Sequence, residues 1–443
     1  MLQAVLNAFK IPDLRRKILY TVAMLVIFRV IASVPIPNVD RDGLRSFIES
    51  NQLLGMLNLF SGSGLRNFSI AALGVYPYIT ASIIMQLMTP IIPRLNELSM
   101  EGEQGRTKIN QYTVFLTVPL ALLQGYGQGL LFSRQTVTDP STGAATPLIS
   151  DFGLFNSSTF LPTLAVLISM TCTTLLLVWI GQLITENGIG NGISILIFGG
   201  IVASLPSAVT NVFGGGSLGQ NVIGSVFFIA LGLLTVVGVV LINEGQRRIP
   251  VHHAKRVRAG RVYGGSTTFI PLKVNSAGMI PLIFAVSIMV LPGLISNLLS
   301  ASNTSWVRSV ARDLSIWFSP TNALYNIVYF LLVVGFTFFY TMVVFQQQRI
   351  PESLQRQGAF IPGVRPGKNT AVYLQKVLSR ITIVGALFLG IVAILPWIVS
   401  QLTGVQSLLI SSTSLLIVVG VAIDTMRQLE AQLLMRNYEG FIN

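Results

Sequence analysis

The sequence predicts an all-α membrane protein of ten transmembrane helices in two inverted, pseudo-symmetric five-helix halves. Three observations predict it. The 443 residues are 52% hydrophobic and only 10% charged, where soluble chains carry roughly 25% charged residues. Ten apolar segments are long enough to cross a bilayer. One motif occurs twice: "LGVYPYITASIIM" (73–85) and "AGMIPLIFAVSIM" (277–289) both read G-x-x-P-x-I, and Ala81/Ala285, Ile84/Ile288 and Met85/Met289 extend the match.

The expected spans run 17–35, 69–92, 109–133, 159–182, 192–209, 220–243, 275–298, 323–346, 380–402 and 407–425. "KIPDLRRK" (10–17) before the first mimics a signal peptide, but no convincing cleavage site follows and the apolar run is long enough to span, so a retained first helix is expected. Between the first two spans, "LLGMLNLFSGSGLRNFS" (53–69) is oddly apolar for a loop. It reads as a re-entrant piece, tolerated in a membrane only where it is buried in protein or lines a cavity, and "SGSG" reads as its hinge. The connections 244–274 and 346–379 exceed what a short helix connection needs. The halves divide at 1–210 and 211–443.

Charge sets the orientation. With both termini on one side, that side gathers most of the 29 Lys and Arg. The other side holds only Arg41, Arg45, Arg66, Arg134, Arg308 and Arg312. The positive-inside rule makes the basic side cytoplasmic. The G-x-x-P copy in the second span then runs inward and the copy in the seventh runs outward, as an inverted repeat requires; such repeats mark proteins that move something across a membrane.

Several functions are excluded or weakened. Ion-coupled transport needs ionisable groups at depth, yet Glu186, Glu244 and Asp424 lie near span ends. Arg29 alone sits well inside a span, and snorkelling or pairing with a backbone carbonyl accounts for it. No G-x-x-x-x-G-K-[ST] loop is present, so the chain does not hydrolyse nucleotide itself. Cys172 has no partner for an internal disulfide, and His252 and His253 lack a nearby cysteine or carboxylate for a metal. With no nucleophile–base or carboxylate pair at catalytic spacing, neither an enzyme nor a cofactor or metal is expected. An inverted-repeat solute transporter competes, but it needs a midplane site and no candidate charge is found there. What remains is a passage. Val75/Ile79 and Ile193/Ile197 are i,i+4 pairs of branched apolar residues. Side chains of this kind, arranged as a ring, form a dewetted constriction that blocks ions; ordinary helix packing is the competing account of each pair.

The chain resembles the SecY family, within the wider SecY/Sec61 alpha superfamily, the channel subunit of the bacterial protein translocase. The resemblance is carried by "FRVIASVPIPNVD" (28–40), "LNLFSGSGLRNFSIAALGVYPYITASIIMQL" (57–87), "EGEQGRTKINQYT" (101–113) and "ITENGIGNGISILIFGGIVASLP" (184–206). "GQRRIPVHHAKR" (245–256), "LKVNSAGMIPLIFA" (272–285), "GAFIPGVRPGKNTAVYL" (358–374) and "TSLLIVVGVAID" (413–424) complete it. The resemblance implies that the ten helices surround a central pore through which unfolded polypeptides cross, with membrane segments released sideways through a lateral gate.

Residue by residue, the resemblance implies a pore ring of Val75, Ile79, Ile193, Ile197, Ile283 and Ile417. It implies a plug at Gly55, Met56, Leu57, Asn58, Leu59, Phe60, Ser61, Gly62, Ser63, Gly64, Leu65 and Arg66. The lateral gate falls between the second/third and seventh/eighth spans, with Thr80, Gln86 and Asn275 as polar groups positioned to bond across it. Arg247, Arg248, Arg256, Arg258, Arg365 and Lys368 become docking residues for the motor ATPase SecA or the ribosome. The implied partners further include the small membrane subunits SecE and SecG, signal peptides and nascent or preprotein chains, and anionic lipids. The implied location is the bacterial cytoplasmic (inner) membrane, multi-pass, with both termini cytoplasmic.

Overall fold

The computed structural model describes residues 11–36, 44, 58, 61–62, 64–65, 67–134, 136–138, 145–149, 152–153, 157–214, 222–253, 256–258, 261–263, 267–300, 304–403 and 408–439. The fold is mostly helical, and a helix occupies each of the ten apolar segments. In chain order these are α1 (Pro12–Ser33), α2 (Tyr76–Met88), α4 (Glu103–Arg134), α5 (Ser157–Asn187), α6 (Gly192–Gly214), α7 (Val222–Glu244), α8 (Ile280–Ser300), α10 (Ala323–Gln348), α12 (Lys368–Thr403) and α13 (Leu408–Glu439). Three further helices, α3 (Pro93–Met100), α9 (Ser305–Trp317) and α11 (Ile350–Arg356), lie in the connections. Among the described residues, four stretches are long and apolar enough to cross a membrane: Glu103–Ser133, Thr159–Asn187, Ala323–Arg356 and Lys368–Val399. Their outer faces suit lipid: Phe115 on α4 is 73% exposed and Leu161 on α5 is 74% exposed.

The chain divides into two compact units. The first comprises residues 1–232, 286–326 and 396–443. Within it α2 packs on α4, α4 on α5, α5 on α6, and α6 on both α1 and α13. Glycine permits close approach here: a Cβ on Gly199 of α6 would stand 2.7 Å from Leu25 of α1. Several buried hydroxyls are satisfied inside their own helices, as apolar surroundings favour. Thr113 donates to the Ile109 carbonyl, Thr117 to Thr113 and Thr171 to Leu167. A small core of Leu14, Ile189 and Leu429 ties the start of α1 to the α5–α6 turn and to α13.

The second unit comprises residues 233–285 and 327–395. Here the long basic connections carry strands that the helical periodicity of the spans does not announce. An antiparallel sheet has the order β6 (Thr267–Lys273), β3 (Gln246–His253), β7 (Ala359–Phe360). Ile249 and Val251 are buried with Leu272, Leu354, Ile361 and Leu374, with Pro250 exposed between them as strand alternation requires, and Arg247 and Arg248 before them are both exposed. Two further two-stranded ribbons are β4 (Arg256–Arg258) with β5 (Arg261–Tyr263) and, in the first unit, β1 (Thr136–Thr138) with β2 (Ala145–Pro147). At the entry to α8, Gly385 of α12 lets the Val274 carbonyl approach to 2.6 Å of where a Cβ would sit. Phe284 meets Phe336 and Tyr340 of α10 edge-on.

Candidate pore, plug and gate residues

The two G-x-x-P copies have the same local geometry. Gly74 and Gly278 both adopt left-handed φ, 56° and 64°, a conformation that glycine takes without steric cost. Two residues later a helix begins, α2 at Tyr76 and α8 at Ile280, so Pro77 and Pro281 are each the second helical residue. There the missing N–H is one that the helix leaves unpaired anyway, and the fixed φ suits the first turn. The first amide bonds also correspond. Ile79 N donates to the Val75 carbonyl at 3.1 Å, and Ile283 N donates to the Met279 carbonyl at 3.3 Å. The prolines therefore start helices after a glycine turn and do not interrupt them.

The ring residues named from the sequence sit on these helix starts and on α6 and α13. Val75 is buried just before α2 and Ile79 in its first turn, Ile197 is buried on α6, and Ile417 is buried on α13, which packs against α6. Ile193 is half-buried, its side chain pressed against Gly181 of α5 so closely that a Cβ there would lie 2.5 Å away. These five belong to the first unit. Ile283 belongs to the second, buried in the first turn of α8.

Of the plug candidates, Asn58, Ser61, Gly62, Gly64 and Leu65 are described; Gly55, Met56, Leu57, Leu59, Phe60, Ser63 and Arg66 lie outside the described residues. The described ones are tightly held. Arg29 Nη1 donates to the Gly62 carbonyl at 2.7 Å, the backbone pairing expected of the one cation inside the first span. Ser61 Oγ donates to the Asn58 carbonyl and accepts from Leu65 N. Gly62 has φ 63°, and a Cβ on it would lie 2.5 Å from the Phe28 ring; one on Gly64 would lie 2.7 Å from the Ala71 carbonyl oxygen. These glycines serve close approach, where the sequence reading took them for a hinge. The chain then returns beside the end of α1, with Ile36 N on the Phe68 carbonyl and Ile70 N on the Val34 carbonyl.

The three polar gate residues bond more locally than the sequence reading expects. Thr80 Oγ1 donates to the Tyr76 carbonyl of its own helix and accepts from Gln124 Nε2 of α4 at a long 3.5 Å. Gln86 Nε2 donates to Ser82 Oγ on the same helix. Asn275 Nδ2 donates to Asn243 Oδ1 at the end of α7 and to the Gly278 carbonyl, which braces the glycine turn before α8. The bond that joins α2 to α8 comes from a residue the sequence did not single out. Tyr76, fully buried, donates its hydroxyl to the Ser287 carbonyl at 2.8 Å. A tyrosine in an apolar run reads as packing; its one available signal was its place beside Pro77 in the repeated motif.

The basic residues occupy connections of the second unit. Arg247 and Arg248 are both exposed near the start of β3, and Arg365 and Lys368 are exposed at the turn that opens α12. Thr370 Oγ1 donates to the Arg365 carbonyl and fixes that turn. Arg256 and Arg258 are placed at the two ends of β4. His252 and His253 are paired across the sheet with Thr267 and Thr268.

A sequence model of the SecY family matches residues 69–426. The chain belongs to the SecY family. It is 43% identical over 453 residues to the protein translocase subunit SecY of Streptomyces scabiei, covering 100% of both chains. It is 41% identical over 462 residues to that of Mycobacterium bovis, again covering 100% of both. Solved structures share the fold. A protein-conducting channel superposes with TM-score 0.61 at 17% identity over 96% of each chain. Sec61 in the canine ribosome–channel complex from the endoplasmic reticulum superposes with TM-score 0.58 at 17% identity, also over 96% of each. Like its SecY relatives, the chain is a translocase subunit, and its apolar helices make it a membrane protein.

Proposed function

We propose that this SecY-family chain is the central protein-conducting subunit of its translocase, passing unfolded polypeptides across the membrane and releasing transmembrane segments sideways, without catalysis of its own. The observation that carries the reading is the twin helix start: a left-handed glycine, a proline at the second helical position, and a buried isoleucine in the first turn, Ile79 in one copy and Ile283 in the other. In each copy the turn sets an apolar, β-branched side chain at the start of its helix, the kind of side chain a dewetted ring needs.

The finer assignments belong to the same proposal. Ten spans form inverted halves, 1–210 and 211–443, around a pore sealed by Val75, Ile79, Ile193, Ile197, Ile283 and Ile417. Residues 55–66 plug the outer side. The gate lies between α2/α4 and α8/α10. Arg247, Arg248, Arg256, Arg258, Arg365 and Lys368 receive SecA or the ribosome, SecE and SecG accompany the channel, and anionic lipids contact the basic side. The membrane is the bacterial cytoplasmic one, with both termini inside. The test is import into proteoliposomes containing the chain with its small subunits, SecA, ATP and a preprotein. Protease-protected preprotein is expected, and Arg365→Glu should abolish most of it while leaving the channel folded, since an exposed loop charge contributes little to stability. No protected preprotein with the unaltered chain contradicts the reading.

A further inference from the structure

We propose that a cavity beside the last two turns of α10 is a binding site for one anionic phospholipid of the leaflet facing the basic loops. The cavity measures about 170 Å³ and lies wholly within the second unit, between the end of β6, α10 and α12. An apolar cavity of about 150 Å³ holds a benzene-sized molecule, so this one takes a few methylenes and a polar linkage and leaves the rest of an acyl chain outside. Val344, Phe345 and Leu378 give it apolar walls, and Lys273 and Gln348, both exposed, stand at its rim.

The decisive residue is Thr341. Its side chain lines the cavity, it is 2% exposed, and its hydroxyl has no hydrogen-bond partner among the described residues. One turn earlier, Thr337 shows the usual solution, donating to the Val333 carbonyl of its own helix at 2.7 Å. Thr341 does not follow it, so a buried donor is left facing the cavity in apolar surroundings, where an unpaired hydroxyl is costly.

Depth identifies the occupant. Thr341 lies seven residues before Gln348, the end of the helix, which is about 10 Å along the axis. A bilayer's interfacial zone is roughly 5–8 Å thick on each side. With Gln348 and Lys273 among the headgroups, Thr341 therefore falls at the ester level or just beneath it. A phospholipid brings matching groups in that order: a phosphate for the Lys273 ammonium, an ester carbonyl to accept from Thr341, and methylenes for Val344, Phe345 and Leu378. A free phosphate satisfies only the first of these.

The inference deepens the lipid contact proposed above, and it rests on the membrane-spanning reading of α10 and not on polypeptide conduction. The test is native mass spectrometry of the delipidated protein titrated with phosphatidylglycerol, phosphatidylcholine or inorganic phosphate. Weakening of the tightest phosphatidylglycerol adduct is expected, roughly fivefold in Lys273→Gln from loss of one interfacial cation and roughly threefold in Thr341→Val from loss of one hydrogen bond. Phosphatidylcholine should bind more weakly to the unaltered chain and lose affinity only in Thr341→Val. Thermal unfolding of both variants in detergent reports whether they remain folded, and Thr341→Ser, which keeps the hydroxyl, should restore binding. Equal lipid retention in all variants overturns the site, as does inorganic phosphate competing as well as the lipid, or an ordered water on Thr341 in the lipid-saturated protein. Because lipid retention is read without SecA or preprotein, failure here leaves the translocation result standing, and the converse holds.

Discussion

Tyr76→Phe tests whether the α2–α8 contact is a gate. The substitution keeps the buried ring and removes only the hydroxyl that donates to the Ser287 carbonyl at 2.8 Å. That carbonyl lies inside α8, where the helix supplies an N–H donor four residues on, so no orphaned group should offset the loss. Interhelical hydrogen bonds in membrane proteins contribute about 0.6 kcal/mol on average and up to about 1.7 kcal/mol. At about 1.4 kcal/mol per factor of ten, the separated state of α2 and α8 should therefore become roughly threefold to twentyfold more populated. Two readouts follow: the resting open probability in planar bilayers, and proteoliposome import of a preprotein with a weakened signal sequence. Both should rise by a factor in that range, while import with an intact signal stays near the unaltered level. Unchanged open probability and unchanged import of the weakened-signal preprotein would refute the reasoning and return Tyr76 to the helix core.

Replacing Ile79, Ile197 and Ile283 together with glycine should make the resting channel conduct ions, because a wide, less apolar constriction stays wet; an unchanged bilayer conductance removes these residues from the seal. Gly62→Ala should release the segment held by Arg29. Its φ of 63° costs an L-residue roughly 1–2 kcal/mol, and a Cβ at 2.5 Å from the Phe28 ring adds overpacking of roughly 1–3 kcal/mol. The expected result is intermittent resting current with normal import; a silent channel would mean that the segment does not occlude the pore.

The parts of the fold set by composition were legible in the sequence. A helix occupies each of the ten apolar segments, and four stretches among the described residues are long and apolar enough to cross a membrane, where a helix is the local way to pair a backbone. Arg29 was read correctly for the same reason: a cation at depth must find an acceptor, and the Gly62 carbonyl is that acceptor. The strands β3, β6 and β7 were not legible. They form in a polar connection where Ile249, Val251, Leu272 and Ile361 are too few and too scattered to show an alternation, and their partners come from distant sequence, Phe360 against His252 for example. The glycines of the plug segment were read as freedom, whereas Gly62 and Gly64 are set by what stands beside them, Phe28 and Ala71, and such a close approach leaves no periodic trace. Gly74 and Pro77 both fall inside the expected span 69–92, yet the left-handed φ at Gly74 precedes a helix that begins only at Tyr76. Tyr76 was missed because hydrogen bonding by a lone tyrosine depends on which helix lies opposite, which one sequence does not state.

The central claim is that polypeptide passes through the centre of the molecule, and site-specific crosslinking of a stalled substrate tests it most directly. A photoreactive residue at position 79, 197 or 283 should capture a preprotein arrested halfway by a folded domain. The same residue at Leu234 of α7, 67% exposed, or Ile327 of α10, 60% exposed, should capture lipid instead. Adducts confined to the three isoleucine positions are the predicted result. Substrate adducts of equal yield at Leu234 and Ile327, or none at the three isoleucines, would contradict it.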